Sequence, residues 1–465
     1  MCGAFIWEWC DHAIYKGKAP NGKDMYWYGG DHGEYPHDGN FCMDGLVYPD
    51  RRPHTGLMEY KNVHRPVRVV DYDQATGQLT LHNYMDFVSL QDYITASYQV
   101  TCDGALVQEG QLDKIPAIAP HMSGTVTLNV QVPAKGRCFL KISYFAKNNS
   151  ELISEGFDLG FDEITLENQD DRNQIALAYW QRKAILEDSI SVTEDYRYLT
   201  LTAANFTYRY DKFTYQGMEL LDRPMDLNVW RAPTDNDRKL KADWFAAHYD
   251  KAITRAYNTH FVAMDSEVRI HSDLSIGAIA VQRFMTVEID WTVTVAGGVC
   301  ANILTKRNIE FPELPRFGLR LFVPENMEQV AYFGLGPMEN YIDKRNAASH
   351  GLYRDTVDGL QEDYIRPQEN GAHGSCDYVL LESDKLRLIA VGPEPFSFNA
   401  SHYTQEELTE KAHNYELNKC GSTVLCLDYR QNGIGSASCG PVLQKKYKLI
   451  DETIDFAIRV IPELK

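Results

Sequence analysis

What this sequence is short of narrows it first. Its ten cysteines, at positions 2, 10, 42, 102, 138, 300, 376, 420, 426 and 439, include no CxxC pair, which excludes zinc ribbons and thioredoxin-type redox centres. No apolar run approaches the roughly 20 residues that cross a bilayer, and no basic segment precedes the first apolar stretch. Neither a membrane span nor a secretory leader is expected, so the thiols read as reduced side chains of a cytoplasmic protein. GxxxxGK(S/T) and GxSxG are missing, which leaves no P-loop and no nucleophile elbow. Basic residues are scarce: 46 Lys and Arg face 65 Asp and Glu, for a net charge of −19. That field repels phosphate backbones and anionic lipid, so nucleic acid and membranes are poor partners. A neutral, hydroxyl-rich ligand remains allowed.

What is present suits such a ligand. Aromatic residues make up 12% of the chain, with 28 Tyr and 7 Trp, which favours β-structure and flat apolar faces for sugar rings. At 465 residues the chain is long enough for about three domains. Residues 5–10, FIWEWC, are apolar but for Glu8 and predict a strand buried on both faces. In that strand Trp7 and Trp9 share a face and Glu8 points away. Such a strand needs neighbours: either it pairs with later strands of this chain, or the chain is the tail of a longer protein or one chain of a split enzyme.

From residue 67 the pattern alternates. VRVVDYD and QLTLHN flank a turn at Ala75-Thr76-Gly77, and a second hairpin turns at Asp103-Gly104. With GTVTLNVQV and GRCFLKISYFAK, residues 67–166 hold six or seven short strands, the count of an immunoglobulin-like sandwich. ENQDDRNQ (167–174) is polar and uncapped and reads as a linker. Residues 175–465 are strand-rich without an internal repeat, which predicts a large β-sandwich rather than a propeller. Helix there is expected only in short stretches such as DRKLKADWFAAHY and TQEELTEKAHNY.

Three clusters carry candidate chemistry. In GGDHGEYPHDGNFCMDG (29–45), Asp31, His32, Glu34, His37 and Asp38 follow no metal-triad spacing and read mainly as turn formers. Asp44 with backbone carbonyls is better suited to a hard cation. In WRAPTDNDR, Asp235, Asn236 and Asp237 offer oxygens to a hydroxyl, an ion or a helix start, with capping the default. GLGPMENYIDKR (334–345) is stiffened by two Gly and a Pro but is no dinucleotide fingerprint. Glycoside hydrolysis needs a carboxylate pair, and spacing selects none from Glu8, Asp11, Asp31 and Asp44.

Taken in order, GAFIWEWCDHAI, YGGDHGEYPHDGNFCMDGLVYPDRRPH, WRAPTDND, GLGPMENYIDKR and RPQENGAHG resemble the C-terminal part of β-galactosidases of glycoside hydrolase family 2. The resemblance implies a mainly β fold. Residues 1–66 would be the end of a (β/α)8 catalytic barrel with its following loop, and 67–166 the immunoglobulin-like sandwich. After the 167–174 linker, 175–465 would form a large galactose-mutarotase-like supersandwich. It also implies that both catalytic glutamates and most Mg²⁺ ligands lie upstream, so this chain contributes no catalytic residue and is inactive alone. What carries over is the rim. Trp7 would form an apolar wall against galactose, while the Phe41 carbonyl and Asp44 would hold a monovalent cation, Na⁺ or K⁺, beside the sugar. Cys439 stands where the best-known members place a Trp over the aglycone, which implies weaker retention of lactose. The expected partners are a β-galactoside, the missing N-terminal part as the same or a separate chain, and further copies in a homo-oligomer.

Two rivals stand beside this reading. One is a non-catalytic carbohydrate-binding or scaffolding protein built on the two β domains. The other is a mutarotase-like isomerase, which would need an exposed His facing a carboxylate in a cleft. His350, His373, His402 and Glu369 are its candidates.

Overall fold

The computed structural model describes residues 5–182, 189–196, 198–435 and 438–465. The fold is mainly β. Seven strands lie between residues 67 and 166, in a three-stranded and a four-stranded sheet closed over one apolar core. Both anticipated hairpins form, with Val67–Asp73 pairing Gln78–Asn83 and Ile94–Cys102 pairing Ala105–Gln111. At the second turn Asp103 and Gly104 both adopt positive φ (50° and 85°), as a tight two-residue hairpin demands. GTVTLNVQV forms a strand only over Ser123–Thr127.

The 167–174 stretch is not uncapped. Asp170 bridges to Lys135, and the buried Asn173 side chain accepts from the Ile175 and Ala176 N–H groups, starting helix Gln174–Gln181. Its Asn is an N-cap whose orphan donors only the following turn reveals.

The remainder is built on a 12-stranded sheet. Strand Leu386–Ser401 is its pivot: it pairs Ala372–Glu382 along one edge, whereas its other edge meets two partners in turn. Residues 386–391 pair Thr453–Leu464, and 397–401 pair Ser422–Gln431. Between the halves lies Gly392-Pro393-Glu394-Pro395, whose prolines donate no ladder hydrogen bond, so the strand can change partners there. Two layers result, and a continuous apolar core fills the space between them. Helices form at Leu240–Ala246 and Gln405–Glu410, shorter than but inside the expected segments. Among the described residues no helix is long and apolar enough to cross a membrane.

Residues 5–66 lie against one end of this sandwich through polar and aromatic contacts. Thr55 Oγ1 donates to Glu339 (2.9 Å), His413 pairs with Asp31 (2.7 Å), and the Tyr48 hydroxyl meets Glu362. Ala13, Tyr28, Tyr48 and Ile365 form a small apolar seam beneath them. The FIWEWC run is not the expected doubly buried strand. Its contacts are with 44–47, where Glu8 N–H donates to Asp44 O (3.1 Å) and Cys10 bridges Val47. Phe5, Trp7 and Trp9 stand 101%, 76% and 63% exposed. No described strand flanks the run, and of its side chains only that of Cys10 is buried.

Candidate functional site

Where the docked segment meets the sandwich lies a cleft of about 930 Å³. Trp7, Phe41, Asp44 and Cys439, the four residues singled out as rim, all line it, whereas Trp9 does not. Its walls come from Trp7, the 40–45 loop, the start of helix Thr55–Val63 with His54, the 234–238 loop, the 343–344 turn, the 364–369 loop, and Ile434, Gly435, Ser438 and Cys439. Ser436 and Ala437 of the GSASCGP segment lie outside the described residues.

Each wall is held by buried polar contacts. Asp237 accepts both contacts from the Arg231 Nη2 (2.9 and 3.0 Å) and closes a capping box with Thr234. The capping reading of 235–237 thus holds for Asp237. Asp235 instead accepts from the Asn40 amide at 2.6 Å, and Arg366 holds the same Asn40 from the other side at 3.0 Å. Those bonds place Phe41, whose ring carries the Arg238 guanidinium at 5.4 Å. Asp343 accepts the Ile434 and Gly435 N–H groups (3.0 and 2.7 Å) and so anchors the loop that carries Cys439. A Cβ on Gly433 would stand 2.8 Å from the Asp343 carboxyl, so this close approach requires glycine. Burial opposes ionisation of Glu339, yet Lys344, the Tyr364 hydroxyl and the Gly371 N–H hold it below the usual carboxylate range.

The chemistry concentrates at Asp44. Burial, then the adjacent Glu8 charge, pushes its carboxyl above the ordinary range, and its buried Oδ1 has no hydrogen-bond partner. Two carboxylates side by side, with an orphaned buried oxygen, suit an oxygen-coordinated cation. Glu8, Asn40 and Arg238 were not assigned from the sequence. Asn40 and Glu8 each adjoin a residue that was, but nothing local tells which neighbour turns inward.

The remaining carboxylates lining the cleft are engaged. Glu59 binds Asn346 and the Ala347 N–H, Asp343 holds backbone, Asp235 holds Asn40, and Glu369 contacts buried Arg316 and Gln431. The 31–38 cluster behaves as turn formers: Glu34 accepts the Gly30 and His32 N–H groups (2.6 and 3.0 Å), and His37 caps Gly39. The isomerase candidates do not converge. His373 and His402 are buried, Glu369 is held by Arg316, and His350 pairs with Glu163 at 2.6 Å.

Three family models match consecutive stretches of the chain. They are described as glycosyl hydrolases family 2, TIM barrel domain (residues 1–69), β-galactosidase, domain 4 (79–167), and β-galactosidase small chain (200–460). A β-galactosidase of Actinobacillus pleuropneumoniae is 40% identical over 467 residues, covering 98% of this chain and 44% of that protein. One from Staphylococcus xylosus is 33% identical, with coverages of 98% and 46%. The chain thus spans less than half the length of these relatives. Among solved structures, a galactose 1-epimerase from Lactobacillus acidophilus covers 60% of this chain and 99% of its own, at 10% identity and a TM-score of 0.31.

Proposed function

This chain belongs to the β-galactosidases of glycoside hydrolase family 2, and from that premise we propose that it forms the substrate rim of a retaining β-galactosidase. The observation that carries the reading is convergence. Residues 7, 41 and 44 near one end of the chain and residue 439 near the other meet in one cleft whose acidic floor has an unsatisfied carboxylate oxygen. In this reading the exposed Trp7 indole is the apolar wall for the galactose ring. The Phe41 carbonyl and Asp44 hold Na⁺ or K⁺, a fixed positive charge on which sugar hydroxyls can orient. Cys439 borders the aglycone end, where a small thiol leaves room that an indole would fill.

Retention requires an acid and a nucleophile about 5–5.5 Å apart. As the family resemblance implies, both, with most of the Mg²⁺ ligands, come from the rest of the enzyme, in line with the engagement of Glu59, Asp235, Asp343 and Glu369 elsewhere. The three family matches support a division at 1–66, 67–166, 167–174 and 175–465. Assembly as a homo-oligomer in the cytoplasm completes the proposal.

The test is hydrolysis of o-nitrophenyl galactoside by this chain alone and mixed with the N-terminal half of the A. pleuropneumoniae relative. No turnover alone, turnover on mixing, and a loss of about tenfold or more with Trp7→Ala or Asp44→Ala are expected, since each would remove about 1.4 kcal/mol or more of binding. Turnover by the chain alone would sink the division of labour. Restored turnover indifferent to both substitutions would sink the rim assignment.

A further inference from the structure

His402 was a candidate for isomerase chemistry that the cleft does not use, and its surroundings suggest another role. It follows strand Leu386–Ser401 directly, and its side chain is almost fully buried. Its Nε2 faces Glu328 Oε2 at 2.6 Å and Asp358 Oδ1 at 3.9 Å. Glu328 immediately precedes strand Gln329–Gly336, and Asp358 lies just past the end of Ser349–Thr356. Three strand ends thus bring one nitrogen and two carboxylate oxygens within 4.8 Å of one another. None of the three lines the cleft.

We propose that Glu328, Asp358 and His402 bind a first-row divalent cation of the Zn²⁺ type. Metal–ligand distances of about 2.1 Å place donor atoms roughly 3–4 Å apart, so small side-chain shifts would seat the ion. An imidazole nitrogen beside two carboxylates favours Zn²⁺ or Co²⁺ over Mg²⁺, which prefers oxygen alone. The far side of the ring fits this use. Nε2–H donates to Glu328 at 2.6 Å; once an ion displaces that proton, an Nδ1–H can donate to the Ser422 carbonyl, 3.5 Å away, and leave the Nε2 lone pair for the metal. Charge agrees as well. Lys419 contacts both Asp358 oxygens (2.9 and 2.7 Å), so two carboxylates, one ammonium and a neutral imidazole leave a net −1. The Asp358 carboxylate can keep Lys419 on Oδ2 while Oδ1 turns to the metal. Both carboxylates are solvent-accessible, which gives the ion a way in.

Zn²⁺ titration of the full chain by calorimetry, with Co²⁺ absorption as a second readout, tests this. Wild type should bind one more equivalent of Zn²⁺ than Glu328→Gln, and show a visible Co²⁺ band that this variant lacks. Glu328 is partly exposed, so its isostere should fold normally, as far-UV circular dichroism will verify. His402→Gln should behave alike. Lys419→Ala should bind Zn²⁺ about threefold more tightly, because it removes an exposed ion-pair competitor for Asp358. Equal stoichiometry in wild type and Glu328→Gln would overturn the site. A Glu328-dependent response to Mg²⁺ as strong as that to Zn²⁺ would overturn the assigned metal class.

Discussion

Replacing Arg316 with Met should damage the large sandwich more than most single changes, in a way that depends on pH. The guanidinium is fully buried and reaches Asp428 through Nη2 (2.5 Å) and Nε (3.2 Å), and Glu369 through Nη1 (3.3 Å). Burial pushes the Asp428 carboxyl up to about 6 despite this partner, so it is still ionised at neutral pH. Without Arg316 it would have to be neutral to stay buried. Wild-type Asp428 already sits about two units above an unfolded Asp, so holding it protonated at pH 7 adds only the last unit, about 1.4 kcal/mol beyond wild type. Breaking buried pairs by removing one partner costs about 3–5 kcal/mol in all, the balance here coming from the hydrogen bonds that Asp428 and Glu369 lose.

The pH sign follows from proton counting. In wild type the folded pKa is raised, so the folded state binds the extra proton between about pH 4 and 6, and stability falls as pH rises through that window. In Arg316→Met the fall continues past pH 7. The variant's deficit should therefore shrink by about 1 kcal/mol between pH 7 and pH 6. Urea denaturation followed by tryptophan fluorescence reads this, because Trp230 and Trp244 are buried in the same core as Phe317. A deficit under about 1 kcal/mol at pH 7, or one independent of pH, would refute the account, since both conflict with an uncompensated buried carboxylate. Arg316→Met with Asp428→Asn and Glu369→Gln should recover most of the loss.

Asp237→Ala should cost about 3 kcal/mol or more in the same assay, because it strands buried Arg231 and opens the Thr234 capping box; a shift below about 1 kcal/mol would argue against that. Gly104→Ala and Gly22→Ala both force a side chain into positive φ (85° and 84°), but only at Gly104 does the new Cβ meet Leu352, at 2.9 Å. Gly104→Ala should therefore be the worse by about 1–2 kcal/mol, and equal midpoints would contradict the packing argument. Burial lowers the His373 pKa to about 4, so the stability its neutral form supports is present above pH 6.5 and lost as pH falls toward 4. His373→Gln should remove a slope of about 1.4 kcal/mol per pH unit between those values, and an unchanged slope would place the acid sensitivity elsewhere.

Much of the molecule was legible in the chain because it depends on neighbours in sequence. Turn chemistry at Ala75-Thr76-Gly77 and Asp103-Gly104 is set by a few adjacent residues, so both hairpins appear where the alternation broke. The ordered motifs likewise identify the β-galactosidase family, and the charge of −19 suits a neutral ligand and a cation. Capping illustrates the limit. Thr234-Asp235-Asn236-Asp237 announces a helix start, yet the sequence cannot say that Asp237 also neutralises a buried Arg231.

Tertiary structure alone decided the rest, for a common reason: the deciding partner is distant in sequence. FIWEWC has the composition of a doubly buried strand, but burial is a property of what stands beside it, and here its backbone pairs along one edge with 44–47. Trp7, Phe41 and Asp44 come to line one cleft with Cys439 because segments near opposite ends of the chain close around the same space. The pairing of Glu8 with Asp44, and of His402 with Glu328 and Asp358, has no spacing signature, since strand ends rather than local periodicity bring those atoms together. Local sequence determines which turns and strands can form and which ligands its charge tolerates. Long-range packing determines which carboxylates are left without a partner, and those are the ones able to bind something else.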